Sequence, residues 1–275
     1  MKGDVDATDA YWGRERLGEA ILESLAAAGR NLDALTLDDL AAFDHFHPGG
    51  KQATRRLARL ARLAGLAAGT RVLDVGGGLG RPARTLAVEF DCEVMIVDLT
   101  ASYLAAADML NRRLGVERRV MCRVGDALDL PVAEGSFDVV WTQNSGMAIA
   151  AKERLYAGFH RALRPGGRLV LQEPMQGPVE PLLFPEMWSR DGGGSHLRTP
   201  EAMRTAIEAA GFSLRAWDDV TADTLGPAPG EGPPPPSIQY LVMGDALPQI
   251  MATSRRNRTE GRMVIVHAVF DRDGR

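Results

Sequence analysis

The stretch VLDVGGGLGRPARTLA, residues 72–87, decides the architecture. Four apolar or acidic residues that read as a strand run into Gly76, Gly77, Gly78 and Gly80, and a helical segment follows at once. Glycine lets the chain turn sharply and lets a ligand approach the backbone with no Cβ in the way. The helix start beyond it offers free N–H groups and a positive dipole end. A dinucleotide fingerprint would need glycine where Arg81 stands, so the nicotinamide reading loses ground.

Outward from this core, strands are predicted at 71–75, 93–98, 119–126, 137–142 and 168–173, each a short apolar run of the kind buried on both faces of a sheet. Helices fit between them, one from the N-cap Thr100 to Gly115 and one carrying Leu155, Phe159 and Leu163. Thr199 and Pro200 start a later helix, and 212–220 and 263–270 read as a sixth and a seventh strand. The alternation predicts an α/β fold, a doubly wound, seven-stranded, mostly parallel sheet. Ahead of it, Leu17, Ile21, Leu22, Leu25 and Ala28 recur at helical spacing, and Thr36 with Asp39 looks like a capping box for a second short helix. A third amphipathic helix carries Leu57, Leu60, Leu63 and Leu66. We therefore expect residues 1–66 to form an N-terminal helical cap with a closing loop, and 67–275 the main domain. Within that domain, 174–198 is too long for a routine connection and reads as a lid, and 226–237 as a Pro-rich loop.

The chain has 275 residues, 45% hydrophobic and 25% charged, with a formal net charge of −4. That composition suits a globular protein and gives no basic footprint for nucleic acid. With no signal-like N-terminus and no long apolar run, a cytoplasmic protein without membrane insertion is expected. Cys92 and Cys122 sit in apolar runs and read as buried hydrophobes, and no metal-ligand spacing is present.

Two acids stand in register with the glycine loop. Asp98 ends the second strand, where a carboxylate can accept from both hydroxyls of a ribose. Asp126, in GDALDLP, can accept from an adenine amine while the Ala127 N–H donates to the ring. Taken together, VLDVGGGLG, Asp98, GDALDLP, FDVVWTQN and LRPGGRL resemble class I S-adenosylmethionine (SAM)-dependent methyltransferases of the small-molecule type, with a Rossmann-like fold. FHPGG (46–50) and the region around Tyr11 further resemble glycine/sarcosine and phosphoethanolamine N-methyltransferases, in which an N-terminal helix and loop close over the cofactor. The resemblance implies SAM as cofactor and S-adenosylhomocysteine as product. It places Asp74, Gly76, Gly77, Gly78, Gly80, Asp98, Leu99, Asp126, Ala127 and Gln143 on the cofactor. Relatives often carry histidine where this chain has Asn144.

Methyl transfer from a sulfonium chiefly requires alignment in a dry pocket, and a base only where the acceptor loses a proton. Candidates for that base are Glu173, at the end of the fifth strand, and His47, in the closing loop. Tyr11, Asn144, Trp188 and His196 are candidate acceptor contacts, with Trp12, Phe184 and Met187 as further wall residues. Arg255, Arg256 and Arg258 form either a solvated face or a clamp for an anionic substrate. The expected activity is methylation of N, O or C of a small metabolite. Two alternatives remain: C-methylation of an olefin or prenyl diphosphate in natural-product biosynthesis, the one case in which Mg²⁺ would serve, and a SAM-binding cyclase or sensor that no longer methylates. The N-terminal helix can cover its own site or exchange with a neighbour's, which is compatible with a homo-oligomer.

Overall fold

The computed structural model describes residues 11–43, 46–226 and 237–274. Its centre is a seven-stranded sheet in the order β3-β2-β1-β4-β5-β7-β6. The strands are β1 Arg71–Val75, β2 Glu93–Asp98, β3 Val120–Val124, β4 Phe137–Gln143, β5 Leu163–Gln176, β6 Phe212–Asp219 and β7 Met263–Arg272. Only β7 runs antiparallel to its neighbours. The expected Rossmann-like, doubly wound sheet is therefore present, and its C-terminal edge gathers the loops that follow β1, β2, β4 and β5.

Eight α-helices are described: α1 Leu17–Ala27, α2 Gly50–Leu60, α3 Arg81–Glu89, α4 Ala101–Arg113, α5 Lys152–Ala162, α6 Pro200–Ala209, α7 Ile238–Met243 and α8 Leu247–Thr259. The side-chain alternation of the strands divides the core between the two faces. Leu73, Val140, Leu169 and Leu171 pack with α5 and α6, while Val72, Val139, Trp141 and Val170 pack with α2 and α3. At the outer edge β3 leaves Met121 and Val124 exposed.

Several element bounds differ from the sequence expectation. The box between Thr36 and Asp39 forms, with Thr36 Oγ1 donating to Asp39 Oδ2 at 2.6 Å, but the chain makes only turns up to Phe43. A run of roughly seven residues is too short to offset helix nucleation. The third amphipathic segment ends as α-helix at Leu60, because Arg62 enters the left-handed region at φ 54°, and Leu63 belongs to a 3₁₀ turn. β5 and β7 outrun their predicted ends because each finds hydrogen-bonding partners along its whole length.

Among the described residues of 1–66, the buried side chains fall into two clusters. α1 and the turns after it join α4, α7 and α8 in one cluster around Ile21, Leu25, Leu40, Leu110 and Ile250. α2 instead lies on the sheet, with Leu57 and Ala58 fully buried beside Val72 and Trp141. The predicted lid begins later than expected, since Pro174–Gln176 still belong to β5. The rest of it is well tied down. Asn257 of α8 both donates to the Leu183 carbonyl and accepts from its amide, and the Gly177 amide donates to the Arg262 carbonyl. Of the Pro-rich loop 226–237, residues 227–236 lie outside the described residues. No helix among the described residues is long and apolar enough to cross a membrane.

The packing of α2 makes a direct prediction. Leu57→Ala should lower unfolding free energy by about 2–5 kcal/mol in urea denaturation, while Val88→Ala, at an exposed position, stays within about 0.5 kcal/mol.

Candidate functional site

β1 ends in Asp74 and Val75, and the chain then folds back through the glycine turn before α3 begins. Gly76 has φ 71°, and a Cβ there would come within 2.3 Å of the Ser145 Cβ, so no other residue fits between β1 and the loop after β4. Gly77 lies over the Asp74 carboxylate, where a Cβ would meet Oδ2 at 2.7 Å. Gly80 is the N-cap of α3. Arg81 is fully buried and donates to the Leu37 carbonyl, which ties the start of α3 to the turns of the cap.

Asp74 is buried, and its Oδ2 has no hydrogen-bond partner among the described residues. Burial, with the Asp98 charge adding to it, pushes its carboxyl up to about 8. A buried acceptor left in this state is costly, and it marks a place where a bound donor is missing. Asp98 is half-buried at the end of β2 and accepts from the Gly78 amide at 2.9 Å and the Thr100 amide at 2.8 Å, one on each oxygen. The Leu99 amide also faces it. Burial raises its carboxyl against the lowering effect of these amides. Its carboxylate thus stands at the end of β2, held by backbone amides of the glycine turn and of the start of α4.

Asp126 accepts from the Leu128 amide at 2.8 Å through Oδ1, which folds the loop after β3 back on itself. Its second oxygen and the half-buried Ala127 complete the row of cofactor candidates along this edge. The Tyr103 ring, from the first turn of α4, lies 3.6 Å from the Cβ position of Gly78, and Phe46 stacks on it with ring centres 6.0 Å apart. Its buried hydroxyl lacks a partner among the described residues, and burial raises its pKa. The sequence reading missed Tyr103, because it looks there like one more apolar position of an amphipathic helix.

Glu173, expected at the end of the fifth strand, lies buried three residues before the end of the longer β5 and accepts from the Gly146 amide at 2.9 Å through Oε1. Its Oε2 has no partner among the described residues, and burial pushes the carboxyl up to about 7. Lys152, fully buried at the start of α5, donates to the Gly146 and Ile149 carbonyls at 2.5 and 2.6 Å, and burial lowers it to about 8. The acid and the lysine thus hold the loop after β4 from its amide side and its carbonyl side. Residues 145 and 146 of that loop touch both Gly76 and Glu173, so the carboxylate stands one residue away from the glycine turn.

On the opposite face of the sheet a polar row runs across three strands. Gln143, Gln172 and His267 are lateral neighbours on β4, β5 and β7. Gln172 Nε2 donates to Asn144 Oδ1 at 2.7 Å and the Pro48 carbonyl at 3.2 Å, while its Oε1 faces Gln143 Nε2 at 3.3 Å and His267 Nε2 at 2.8 Å. Thr54 of α2 donates to Gln143 at 3.1 Å and lies 3.3 Å from His47 Nε2. His47 is buried with Nδ1 at 3.3 Å from the Pro48 carbonyl, and burial pushes it down to about 4. It is a neutral member of this network. The side chains of Gln143 and Asn144 are likewise held by it, and Asn144 has φ 58°.

Of the acceptor candidates, Tyr11, Trp188 and His196 gather around Met147 and Met187, while Asn144 lies in the polar row. Trp188 is buried with Met147, Val220, Met263 and Ile265, against Trp12 and Met187, and donates to Ser195 Oγ at 3.0 Å. Tyr11 donates to the Met187 carbonyl at 3.1 Å and packs edge-on to Trp12. His196 is brought to the same loop only by its backbone, which donates to the Met147 carbonyl at 2.8 Å, and it is exposed. The arginines of α8 do not form a clamp: Arg255 donates to Leu225, Arg256 to Glu260 and Arg258 to Thr224. Among the described residues no group of three or more His, Cys, Asp or Glu is placed to hold a metal ion.

Residues 73–171 match a family model described as a methyltransferase domain. The chain is 37% identical over 122 residues to 27-O-demethylrifamycin SV methyltransferase of Amycolatopsis mediterranei, covering 44% of this chain and 45% of the relative. It is 34% identical to Methyltransferase GfsG of Streptomyces halstedii over 69% of each chain. It thus spans under half the length of the first relative and about two thirds of the second. A structure of geranyl diphosphate methyltransferase with geranyl diphosphate and sinefungin shares the fold at a TM-score of 0.66 and 21% identity, covering 93% of this chain and 99% of that one. With the glycine turn, the two edge acids and these relatives in agreement, the chain belongs to the class I SAM-dependent methyltransferases of the small-molecule type.

Proposed function

We propose that this chain transfers the methyl group of SAM to a hydroxyl of a bulky, largely apolar small molecule. The observation that carries the cofactor half is the buried Asp74 oxygen with no partner at the glycine turn, which an ammonium group satisfies. The methionine end of SAM supplies that ammonium, and its ribose hydroxyls are donors that the Asp98 carboxylate, at the end of β2, can accept from. Bound there, SAM provides an electrophilic methyl group on a sulfonium. The chain's own residues do the rest: they hold the cofactor, exclude water and receive the acceptor's proton.

The acceptor half rests on the wall formed by Trp12, Met147, Met187, Trp188 and Met263, which suits an apolar partner and a dispersing positive charge. The rifamycin relative is an O-methyltransferase by name, which agrees with a hydroxyl acceptor. Glu173 is the base in this reading. Its Oε2 is free to take a proton, and a carboxyl near 7 is matched to that task at neutral pH. Gly146 and Ser145 fix the other oxygen. C-methylation of a prenyl diphosphate is less well supported, since the α8 arginines it calls on are engaged within the fold.

Asp98→Ala should weaken SAM binding about a hundredfold in calorimetry, since acceptors for two hydroxyls are lost; a change under about threefold would contradict the assignment. The raised Asp74 carboxyl sets a pH dependence of known sign. Without ligand the folded state keeps the proton that the unfolded chain releases, so this group lowers stability as pH rises from about 4 to about 8. Binding the ammonium draws the proton off. SAM binding below about pH 8 should therefore release protons, measured by calorimetry in buffers of different ionisation enthalpy, and Asp74→Asn should lose that release. Glu173→Gln should lower kcat at least about a hundredfold with little change in KM for SAM and remove the acid limb near pH 7. A SAM-binding cyclase or sensor would instead yield no methylated product from any candidate acceptor.

A further inference from the structure

The loop after β4 rests on a buried cation whose charge the reaction described above leaves unused. Lys152 has zero exposure, and both of its hydrogen bonds among the described residues go to neutral carbonyls, those of Gly146 and Ile149. An ammonium buried on carbonyls alone is costly, and a nearby negative charge offsets that cost. Glu153, beside it on α5, and Arg198, from the segment before α6, pair with each other at 2.7 Å, and Glu153 is exposed. Glu173 of β5 is the buried counter-charge, and of the charges acting on Lys152 it acts most strongly.

A single peptide group joins the two. The Gly146 carbonyl that accepts from Lys152 Nζ at 2.5 Å belongs to the same peptide as the Met147 amide, and that amide faces the Glu173 carboxylate. The Gly146 amide donates to Glu173 Oε1 at 2.9 Å, and the Ser145 amide lies 3.4 Å from the same oxygen. Only glycine allows this approach, since a Cβ on Gly146 would lie 2.9 Å from Oε1. An ammonium on the carbonyl polarises the peptide and strengthens its N–H as a donor to the carboxylate. Direct Coulomb attraction works in the same direction, and both favour the ionised acid where burial favours the protonated one. The Tyr156 phenol also faces Glu173 from α5, but burial keeps it neutral and it donates to Met203 Sδ.

We infer that Lys152 is a positioning residue for methyl transfer: acting through the Gly146–Met147 peptide, it holds the Glu173 side chain in place and in its ionised form. This rests on the reading of Glu173 as the base. Without the lysine charge the carboxyl keeps its proton to higher pH, and the acid limb of methyl transfer moves up with it.

The test titrates the ¹³C carboxyl signal of Glu173 in the whole chain, assigned with Glu173→Gln, and needs no acceptor. Lys152→Gln keeps an N–H donor for the carbonyls, and Lys152→Met is apolar. Each should raise the Glu173 midpoint by about one pH unit or more, about a tenfold change in the ionised fraction. By reciprocity the Lys152 ¹⁵Nζ midpoint, about 8 in the wild type, should fall by a similar amount in Glu173→Gln, with Lys2 and Lys51 told apart by their replacement with Arg. A Glu173 midpoint within about 0.3 pH of wild type in either folded Lys152 variant overturns the proposal. Where neither variant folds, an unmoved Lys152 midpoint in Glu173→Gln overturns it. Undiminished methyl transfer by Glu173→Gln overturns the base reading alone.

Discussion

The cofactor end of this structure depends on one buried carboxylate. Asp74 sits at the end of β1 beneath the glycine turn, with one oxygen unpartnered among the described residues, which in the proposed reading is satisfied by a ligand's ammonium. The residues around it fit that placement. Gly77 leaves room over the carboxylate, Gly76 lets the loop after β4 approach, and Asp98 braces the turn through the Gly78 amide. The same few residues thus make the chain turn, bring two strand ends together and leave acceptors pointing outward.

The acceptor side is built by a different device. Glu173 and Lys152 grip the loop after β4 from below, and the Gln143, Gln172 and His267 row secures the closing loop and Asn144 from the other face. Alternation along β5 is what separates the two: Gln172 and Glu173 are neighbours in sequence and point to opposite sides. One side carries a buried carboxylate with one unpartnered oxygen and the other a network of neutral side chains. A strand of fourteen residues with long partners on both sides keeps the two sets in fixed relation.

The sheet and the glycine turn were legible in the sequence because their signals are local. The strand β1, the glycine turn and α3 lie within about twenty consecutive residues, and Asp98 and Asp126 each close a strand that reads as apolar. The capping pair of Thr36 and Asp39 formed without its helix, since a short-range motif says nothing of whether the following turns propagate. His47 is legible as a candidate only by its place in the closing loop, whereas its contacts with Thr54 and the Pro48 carbonyl come from the packing of α2. Gln172 stood unnoticed, and His267 reads in the sequence as an ordinary core or surface position, for a related reason: only the strand order β4-β5-β7 and the packing of α2 bring their chemistry together. Tyr103 and Lys152 likewise look ordinary within α4 and α5, and only the packing of those helices brings them to the glycine turn and to the loop after β4.

The central claim is that SAM lies on the C-terminal edge of β1 and β2 with its ammonium on Asp74 and its ribose on Asp98. A crystal structure of the chain with S-adenosylhomocysteine tests it most directly. The account predicts the ligand's amino nitrogen within hydrogen-bonding distance of Asp74 Oδ2 and both ribose hydroxyls on the Asp98 carboxylate. A ligand bound elsewhere, or one that leaves Asp74 Oδ2 without a partner, would contradict it.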